Sequence, residues 1–113
     1  MTYYCYLITT ANRTYIGITN NLENRLKKHN QGKGAKSTRC SNLWQYHTII
    51  AGFKGKSDAM RFEWYWKHDL NKKGKWQKTK SGFNCKMERL IKLLMDSQNI
   101  NLSLYHHPQI QIF

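Results

Sequence analysis

The chain has 113 residues, 40% of them hydrophobic and 13% aromatic, which is enough to bury one core and predicts a single domain over residues 1–113. Nineteen Lys and Arg face six Asp and Glu, and the formal net charge of +13 favours an anionic partner, above all nucleic acid. A membrane role is not expected, because the longest apolar runs span only a few residues.

The N-terminal segment predicts a β-hairpin. Residues 2–8 are rich in Tyr and aliphatic side chains, and a second β-rich run at 14–19 follows a short polar turn. Because side chains alternate along a strand, Tyr4, Tyr6 and Ile8 are expected to share one face.

A helix is predicted directly after the hairpin. Asn20 or Asn21 can cap its start, the helix runs to about Asn30, and Gly32 suits its C-terminal end. The stripe of this helix that faces the core is expected to consist of Leu22 and Leu26.

The rest of the chain continues with strand and helix patterns. A strand is predicted near residues 46–53, with the pair Ile49 and Ile50 in a buried central position, and it is followed by a helix over 57–70. The remaining segments are predicted, in chain order, as the nearest approach to a linker at 71–82, a helix at 84–97 and a short strand at 100–105.

Glu63 is the acidic residue that is predicted to face inward. It follows Ala59 by four residues and precedes Trp66 by three, on the same helical stripe as Phe62. A carboxylate among apolar side chains needs a cation, because burying an unpaired charge is costly. That cation is either a Lys or Arg or a metal ion, and the spacing alone favours the ordinary ion pair.

Four further polar side chains are candidates for chemistry. Arg25 and His29 lie four residues apart on one helix face, where they can flank a phosphate or form a plain solvated basic face. Tyr6 and Tyr15 come from the two arms of the hairpin. A tyrosine can shuttle a proton or orient a metal-activated water, but ordinary packing on a sheet explains a tyrosine equally well.

The joint order of these residues resembles the GIY-YIG nuclease family. Tyr15-Ile16-Gly17 matches the second signature of the family, and Tyr4-Cys5-Tyr6 keeps the tyrosine of the first. Segments 25–30 and 62–68 are similar to Arg-Leu-x-x-His-Asn and Phe-Glu-x-x-Trp-x-His of the Slx-type, structure-selective subgroup. The resemblance implies a motif-bearing core over 3–70, followed by a C-terminal helix and short strand over 84–106.

This resemblance implies an α+β GIY-YIG nuclease fold, in which a small antiparallel β-sheet is flanked by α-helices. It implies a DNA endonuclease that hydrolyses phosphodiester bonds, structure-selective for branched or flap DNA, in repair or recombination. The implied roles are Glu63 as the ligand of a single metal ion, Tyr6 and Tyr15 around the attacking water, Arg25 on the scissile phosphate, and His29 in auxiliary proton transfer or positioning. A site with one carboxylate suits hard Mg²⁺ or Mn²⁺ over zinc, because such an ion keeps several waters and takes phosphate oxygens.

Basic side chains predict the surface that contacts DNA. The loop over residues 32–39 is expected to be a flexible basic arm beside the active-site helix, with a plain solvated loop as the alternative. The residues predicted to bind nucleic acid are Lys27, Lys28, Lys33, Lys36 and Arg39.

Two rival functions are considered, one that keeps the nuclease activity and one from another class. A sequence-recognising homing or restriction-type nuclease is disfavoured, because no zinc finger or helix-turn-helix motif is evident. A non-catalytic basic nucleic-acid-binding module is disfavoured by the joint presence of Tyr6, Tyr15, Arg25 and Glu63.

The resemblance and the cysteine pattern bear on the partners and the cellular compartment of the protein. Slx-type proteins carry a cysteine-rich, RING-like module after the nuclease domain, and this chain shows no counterpart, so no protein scaffold partner is inferred and a homodimer stays open. The three cysteines stand alone in sequence, which predicts reduced thiols in an intracellular protein. The expected location is the nucleus in a eukaryote, or the host-cell compartment of DNA replication for a virus.

Overall fold

The computed structural model describes residues 2–70, 76–78, 82–95 and 109–112. These residues form a four-stranded antiparallel sheet, a smaller two-stranded sheet and three α-helices, which is the α+β arrangement that the resemblance implied. The elements in chain order are β1 (Tyr4–Thr10), β2 (Arg13–Thr19), α1 (Leu22–Asn30), β3 (Gln45–Ala51), α2 (Lys56–Lys67), β4 (His68–Leu70), β5 (Trp76–Lys78), α3 (Phe83–Met95) and β6 (Gln109–Ile112).

The main sheet has the order β2-β1-β3-β6, so β2 lies at an edge and β3 lies inside the sheet, as predicted for the strand near 46–53. The predicted hairpin is confirmed, with strands that extend further into the turn and leave only Ala11 and Asn12 between them. Between β1 and β3 the register shifts: Leu7 pairs with Thr48 and Ile8 with Tyr46. His47 therefore bulges out of the β1–β3 ladder.

Both faces of the sheet are buried because β1 and β3 alternate apolar side chains toward each. Cys5 and Leu7 point to the face covered by α2 and α3, whereas Tyr6 and Ile8 point to the face covered by α1. Tyr4 packs against Tyr6 and Ile8, so the predicted shared face is confirmed. The sheet thus separates two core clusters.

Helix α1 begins and ends as its sequence predicts. The Asn21 side chain caps it by accepting a hydrogen bond from the Asn24 amide at 3.0 Å. At its end Gly32 adopts a positive φ of 72°, and its amide bonds to the His29 carbonyl while the Lys33 amide bonds to the Lys28 carbonyl, which is a Schellman motif. The predicted Leu22 and Leu26 stripe is only half-buried, and the fully buried residue of the helix is His29.

Helix α2 ends earlier than predicted. It stops at Lys67 rather than near residue 70, because the backbone becomes extended at His68 and residues 68–70 pair with β5 in the second sheet. The predicted linker at 71–82 therefore contains a short strand. Helix α3 begins at Phe83, close to the predicted start.

The C-terminal part of the described chain holds one unpredicted strand. Strand β6 pairs with β3 at residues 109–112, whereas the strand predicted at 100–105 lies outside the described residues. Among the helices in the described ranges, none has the length and apolar character needed to span a membrane.

Candidate functional site

A chain of hydrogen bonds joins β1, α1 and the loop after α1. The Tyr6 hydroxyl lies 2.8 Å from His29 Nε2 and 3.3 Å from Arg25 Nε. His29 Nδ1 lies 2.8 Å from Thr38 Oγ1, and Thr38 Oγ1 donates to the Ala35 carbonyl at 2.8 Å. Tyr6, His29 and Thr38 are fully buried. We call this chain of groups, from Arg25 to Ala35, the relay.

The Ala35 carbonyl fixes the direction of each bond in the relay. A carbonyl only accepts, so the hydroxyl proton of Thr38 is committed to Ala35, and Thr38 Oγ1 accepts from the Nδ1–H of His29. The unprotonated Nε2 of the neutral imidazole then accepts from the Tyr6 hydroxyl. Burial and the positive charge of Arg25 lower the pKa of His29 to about 4. The imidazole is therefore neutral at physiological pH.

We expect NMR of ¹⁵N-labelled protein to show His29 as the Nδ1–H tautomer at neutral pH, with a protonation midpoint near pH 4. The unfolded chain protonates more readily, at an ordinary pKa of about 6.5. The stability that neutral His29 contributes is thus complete above about pH 6.5 and is lost as the pH falls through about 4. Thr38→Val removes the acceptor of Nδ1–H and should abolish the tautomer preference. An Nε2–H tautomer in the unsubstituted protein would contradict the assignment.

Both partners of the Arg25–Tyr6 hydrogen bond stay protonated at neutral pH. Burial raises the pKa of the Tyr6 hydroxyl above its ordinary value, so Tyr6 stays a donor to His29. Burial disfavours the charge on Arg25, but the bond to Tyr6 and the interaction with Tyr15 raise the pKa of the guanidinium overall. Arg25 is half-buried. It therefore holds a permanent positive charge between the two tyrosines.

Tyr15 extends the group to the edge of the sheet. Its ring centroid lies 6.4 Å from that of Tyr6 and 5.2 Å from that of His29. Unlike Tyr6, Tyr15 is only half-buried. Lys67 Nζ, at the end of α2, lies 5.5 Å from the Tyr15 ring centroid, within the range of a cation–π contact. The structure thus brings the predicted residues Tyr6, Tyr15, Arg25 and His29 together, with Tyr15 and Arg25 on the accessible side.

Glu63 is connected to this group of side chains by an ion pair with Lys67. Glu63 Oε2 lies 3.3 Å from Lys67 Nζ, and the Glu63 side chain is 23% exposed. The prediction that Glu63 faces inward is therefore confirmed only in part, because the side chain is half-buried. The buried stripe of α2 consists of Ala59, Phe62 and Trp66. Successive residues of a helix are rotated by about 100° around its axis. Glu63, one residue after Phe62, therefore lies at the margin of the buried stripe, where it forms an ordinary ion pair.

The Glu63 carboxylate nevertheless fits a hard divalent cation. Its second oxygen, Oε1, accepts no hydrogen bond from the described residues. The pKa of the Cys5 thiol on β1 is raised well above its ordinary value, mainly by burial and secondly by the negative charge of Glu63. The described part of the chain holds no group of three or more His, Cys, Asp or Glu that could bind a metal. Glu63 would thus be a lone carboxylate ligand, which suits an ion that keeps its waters and takes phosphate oxygens.

Two glycines make room for the relay. A Cβ atom on Gly17 would lie 2.5 Å from Tyr6 Oη and 3.0 Å from Tyr15 Cε1, and one on Gly34 would lie 2.5 Å from His29 Nδ1. Side-chain atoms at these distances would push the rings out of place. The glycine of the Tyr-Ile-Gly triplet is therefore required by the close approach of two tyrosines.

The five residues predicted to bind nucleic acid lie on the exposed surface of α1 and of the loop that follows it. They are Lys27, Lys28, Lys33, Lys36 and Arg39. Hydrogen bonds anchor this loop at Thr38 and Trp44, and its flexibility as a basic arm stays a prediction. Trp44 Nε1 donates to the Thr38 carbonyl at 2.8 Å, and Asn30 exchanges two hydrogen bonds with the Trp44 backbone. The basic side chains thus project from backbone that is tied to the relay.

Three residues around the site had no role assigned from sequence. Thr38 completes the relay, and Lys67 bridges Glu63 and Tyr15. Tyr46 packs edge-on against Tyr6, with ring centroids 5.4 Å apart, and donates to the Leu22 carbonyl at 2.6 Å. Burial raises the pKa of Tyr46 to about 12. Strand alternation could have placed Tyr46 on the face of Tyr6, but no periodicity marks Thr38 in its loop.

The sequence was compared with known proteins. Residues 2–92 match the family model of the GIY-YIG catalytic domain. The UPF0213 protein YsiG of Lactococcus lactis is 37% identical over 103 residues, which cover 90% of this chain and 96% of that protein. The structure-specific endonuclease subunit SLX1 homolog of Brugia malayi is 38% identical over 87 residues, 67% of this chain and 26% of that protein. The structure-specific endonuclease subunit slx1 of Xenopus laevis is 44% identical over 59 residues, 50% of this chain and 21% of that protein.

Proposed function

Because the chain belongs to the GIY-YIG family and carries its catalytic domain, it is a phosphodiester-cleaving endonuclease, and we propose that it uses Mg²⁺ or Mn²⁺ to cut branched or flap DNA in repair or recombination. The observation that carries this proposal is the meeting of Arg25, Tyr15 and the Glu63–Lys67 pair at the edge of the sheet. The relatives that are named as structure-specific endonuclease subunits support structure selectivity for the proposed substrate. The net charge of +13 supports strong electrostatic binding to the phosphates of DNA.

The accessible residues act on the substrate. Tyr15 can orient the attacking water because it is half-buried, whereas Tyr6 is fully buried. Arg25 donates to phosphate oxygens and offsets the negative charge that grows as water attacks phosphorus. In the hydrolysis, the oxygen of water bonds to phosphorus while the bond to one deoxyribose oxygen breaks. Of the two water protons, one goes to that leaving oxygen and one remains on the new phosphate or passes to solvent.

The buried residues position Arg25. Tyr6 accepts from its Nε, and His29 holds the Tyr6 hydroxyl in the orientation that makes this possible. We therefore assign Tyr6 and His29 to positioning, which departs from the prediction that Tyr6 contacts the attacking water. Glu63 is the residue that would hold the divalent ion, which when bound polarises a non-bridging phosphate oxygen.

Cleavage assays on a panel of DNAs test the proposal. Flaps, forks, four-way junctions and a linear duplex of the same sequence are incubated with the protein in Mg²⁺, in Mn²⁺ and in EDTA. We expect metal-dependent incision near the branch and little cutting of the linear duplex. Equal cutting of all DNAs would contradict structure selectivity, and cutting at one sequence in every DNA would favour a sequence-recognising nuclease. Binding with no incision in either metal would favour a non-catalytic module.

A further inference from the structure

A groove of about 930 Å³ extends from Tyr15 along the β1–β2 hairpin to the first half of α3. It is lined by residues 9–16 of the hairpin and by Lys67, His47 and the α3 residues Phe83, Lys86 and Arg89, among others. This volume lies at the upper end of the roughly 300–1,000 Å³ of pockets that bind ligands. Tyr15 and Lys67 belong both to the groove and to the candidate site, so the two are continuous.

The groove is electropositive. Its lining includes Arg13, Lys67, Lys86 and Arg89, and none of the described residues that line it is acidic. Lys86 is almost fully buried and is fixed by bonds from Nζ to Thr14 Oγ1 at 2.6 Å and to the Thr14 carbonyl at 3.2 Å. Arg13 is exposed on the hairpin. The groove thus combines a cation held in place with one that can adapt to a bound phosphate.

Two aromatic rings line the groove. Tyr15 belongs to the candidate site, and Phe83 lies on α3. The bulge in β3 directs His47 edge-on against Phe83, with ring centroids 4.8 Å apart at 81°. Phe83 remains 37% exposed. Its ring is therefore braced from one side and open to stacking.

We propose that this groove binds the single-stranded arm of a DNA substrate next to the scissile phosphate, an inference that rests on the proposed nuclease function. A base of the arm stacks on Phe83, the phosphates of the arm contact the exposed Arg13, and the buried Lys86 adds positive charge to the lining of the groove. Cations that follow a backbone, combined with rings on which bases stack, are the common features of sites for single-stranded nucleic acid. A groove of this volume can hold a short stretch of one strand.

Binding assays with two exposed variants test this proposal. Fluorescence anisotropy in metal-free buffer compares a labelled flap DNA with a duplex of the same sequence that lacks the arm. We expect Phe83→Ala and Arg13→Ala each to weaken binding of the flap DNA by about tenfold and to leave duplex binding almost unchanged. Matched controls are Trp64→Ala and Arg61→Ala, since both side chains are exposed on α2 and outside the groove.

The groove is overturned as an arm-binding site if its variants lose as much affinity for duplex DNA as for flap DNA. It is also overturned if the two control variants lose as much affinity for flap DNA as the groove variants do. Unchanged flap binding in both groove variants would overturn it as well. These results are separate from the nuclease proposal, which fails only when the unsubstituted protein cuts no DNA in the cleavage panel. The binding assay without metal ions therefore distinguishes failure of the groove from failure of the nuclease function.

Discussion

Replacing Glu63 with glutamine is expected to reduce DNA cleavage in Mg²⁺ by roughly a thousandfold or more, because Lewis-acid stabilisation by a bound ion is worth several kcal/mol in the transition state. The amide keeps the size of the side chain and removes the negative charge that a divalent cation requires. DNA binding in metal-free buffer should change by less than about twofold, since many other cations contact the phosphates. Single-turnover cleavage and anisotropy titrations measure the two effects.

The position of Glu63 also determines what a thermal melt of this variant shows. The Glu63–Lys67 pair is an i,i+4 pair with side chains 23% and 34% exposed, and such pairs contribute only about 0.3–0.5 kcal/mol. Glu63→Gln should therefore melt close to the unsubstituted protein. Glu88→Gln, the same change at an exposed position of α3, is the matched control and should cut normally. A Glu63→Gln protein that cuts at a near-normal rate would refute the metal-ligand role.

Replacing Tyr6 with phenylalanine is expected to lower kcat by about a hundredfold, the scale of losing one preorganised donor at a reacting phosphate. The ring stays, but Arg25 Nε loses its acceptor and His29 Nε2 loses its donor. The guanidinium is then no longer held in one orientation. KM should change little, because ground-state binding is shared among many cations. Steady-state kinetics on a flap DNA separate the two parameters.

Tyr46→Phe is the matched control for the Tyr6 variant. Tyr46 packs against Tyr6 on the same face of the sheet, and its hydroxyl bonds to the Leu22 carbonyl rather than to a relay residue. Loss of this hydroxyl should affect stability more than kcat, because it leaves a helix carbonyl without its partner. A fall in kcat of the same size in both variants would show that Tyr6 acts through general packing and not through Arg25.

The parts of the fold that could be predicted are those with local causes. Asn21 caps α1 and Gly32 ends it, because a side-chain acceptor and a positive φ are needed at those positions. The alternation of Cys5 and Tyr6 toward opposite faces follows from the period of a strand. Proximity of Tyr6, Arg25 and His29 came from the resemblance, and the hydrogen bonds of the relay confirm that these side chains meet.

The parts that could not be predicted depend on tertiary contacts. Helix α2 ends at Lys67 because residues 68–70 find a partner in β5, and no local stop signal marks that place. Glu63 differs from the buried stripe of α2 by one step around the helix, a distinction that apolar spacing does not resolve. Thr38 became part of the relay only through the turn that brings its hydroxyl to His29.

The relay ends on the Ala35 carbonyl, inside the same loop that presents Lys33, Lys36 and Arg39 to the solvent. The loop that is proposed to contact DNA therefore also holds the catalytic geometry, because a loop of another length would displace Thr38 and, through His29, the hydroxyl of Tyr6. Engineering a new specificity by grafting a foreign loop would put the chemistry at risk. Exchanging only the exposed basic side chains leaves the backbone in place and is the safer route to an altered substrate range.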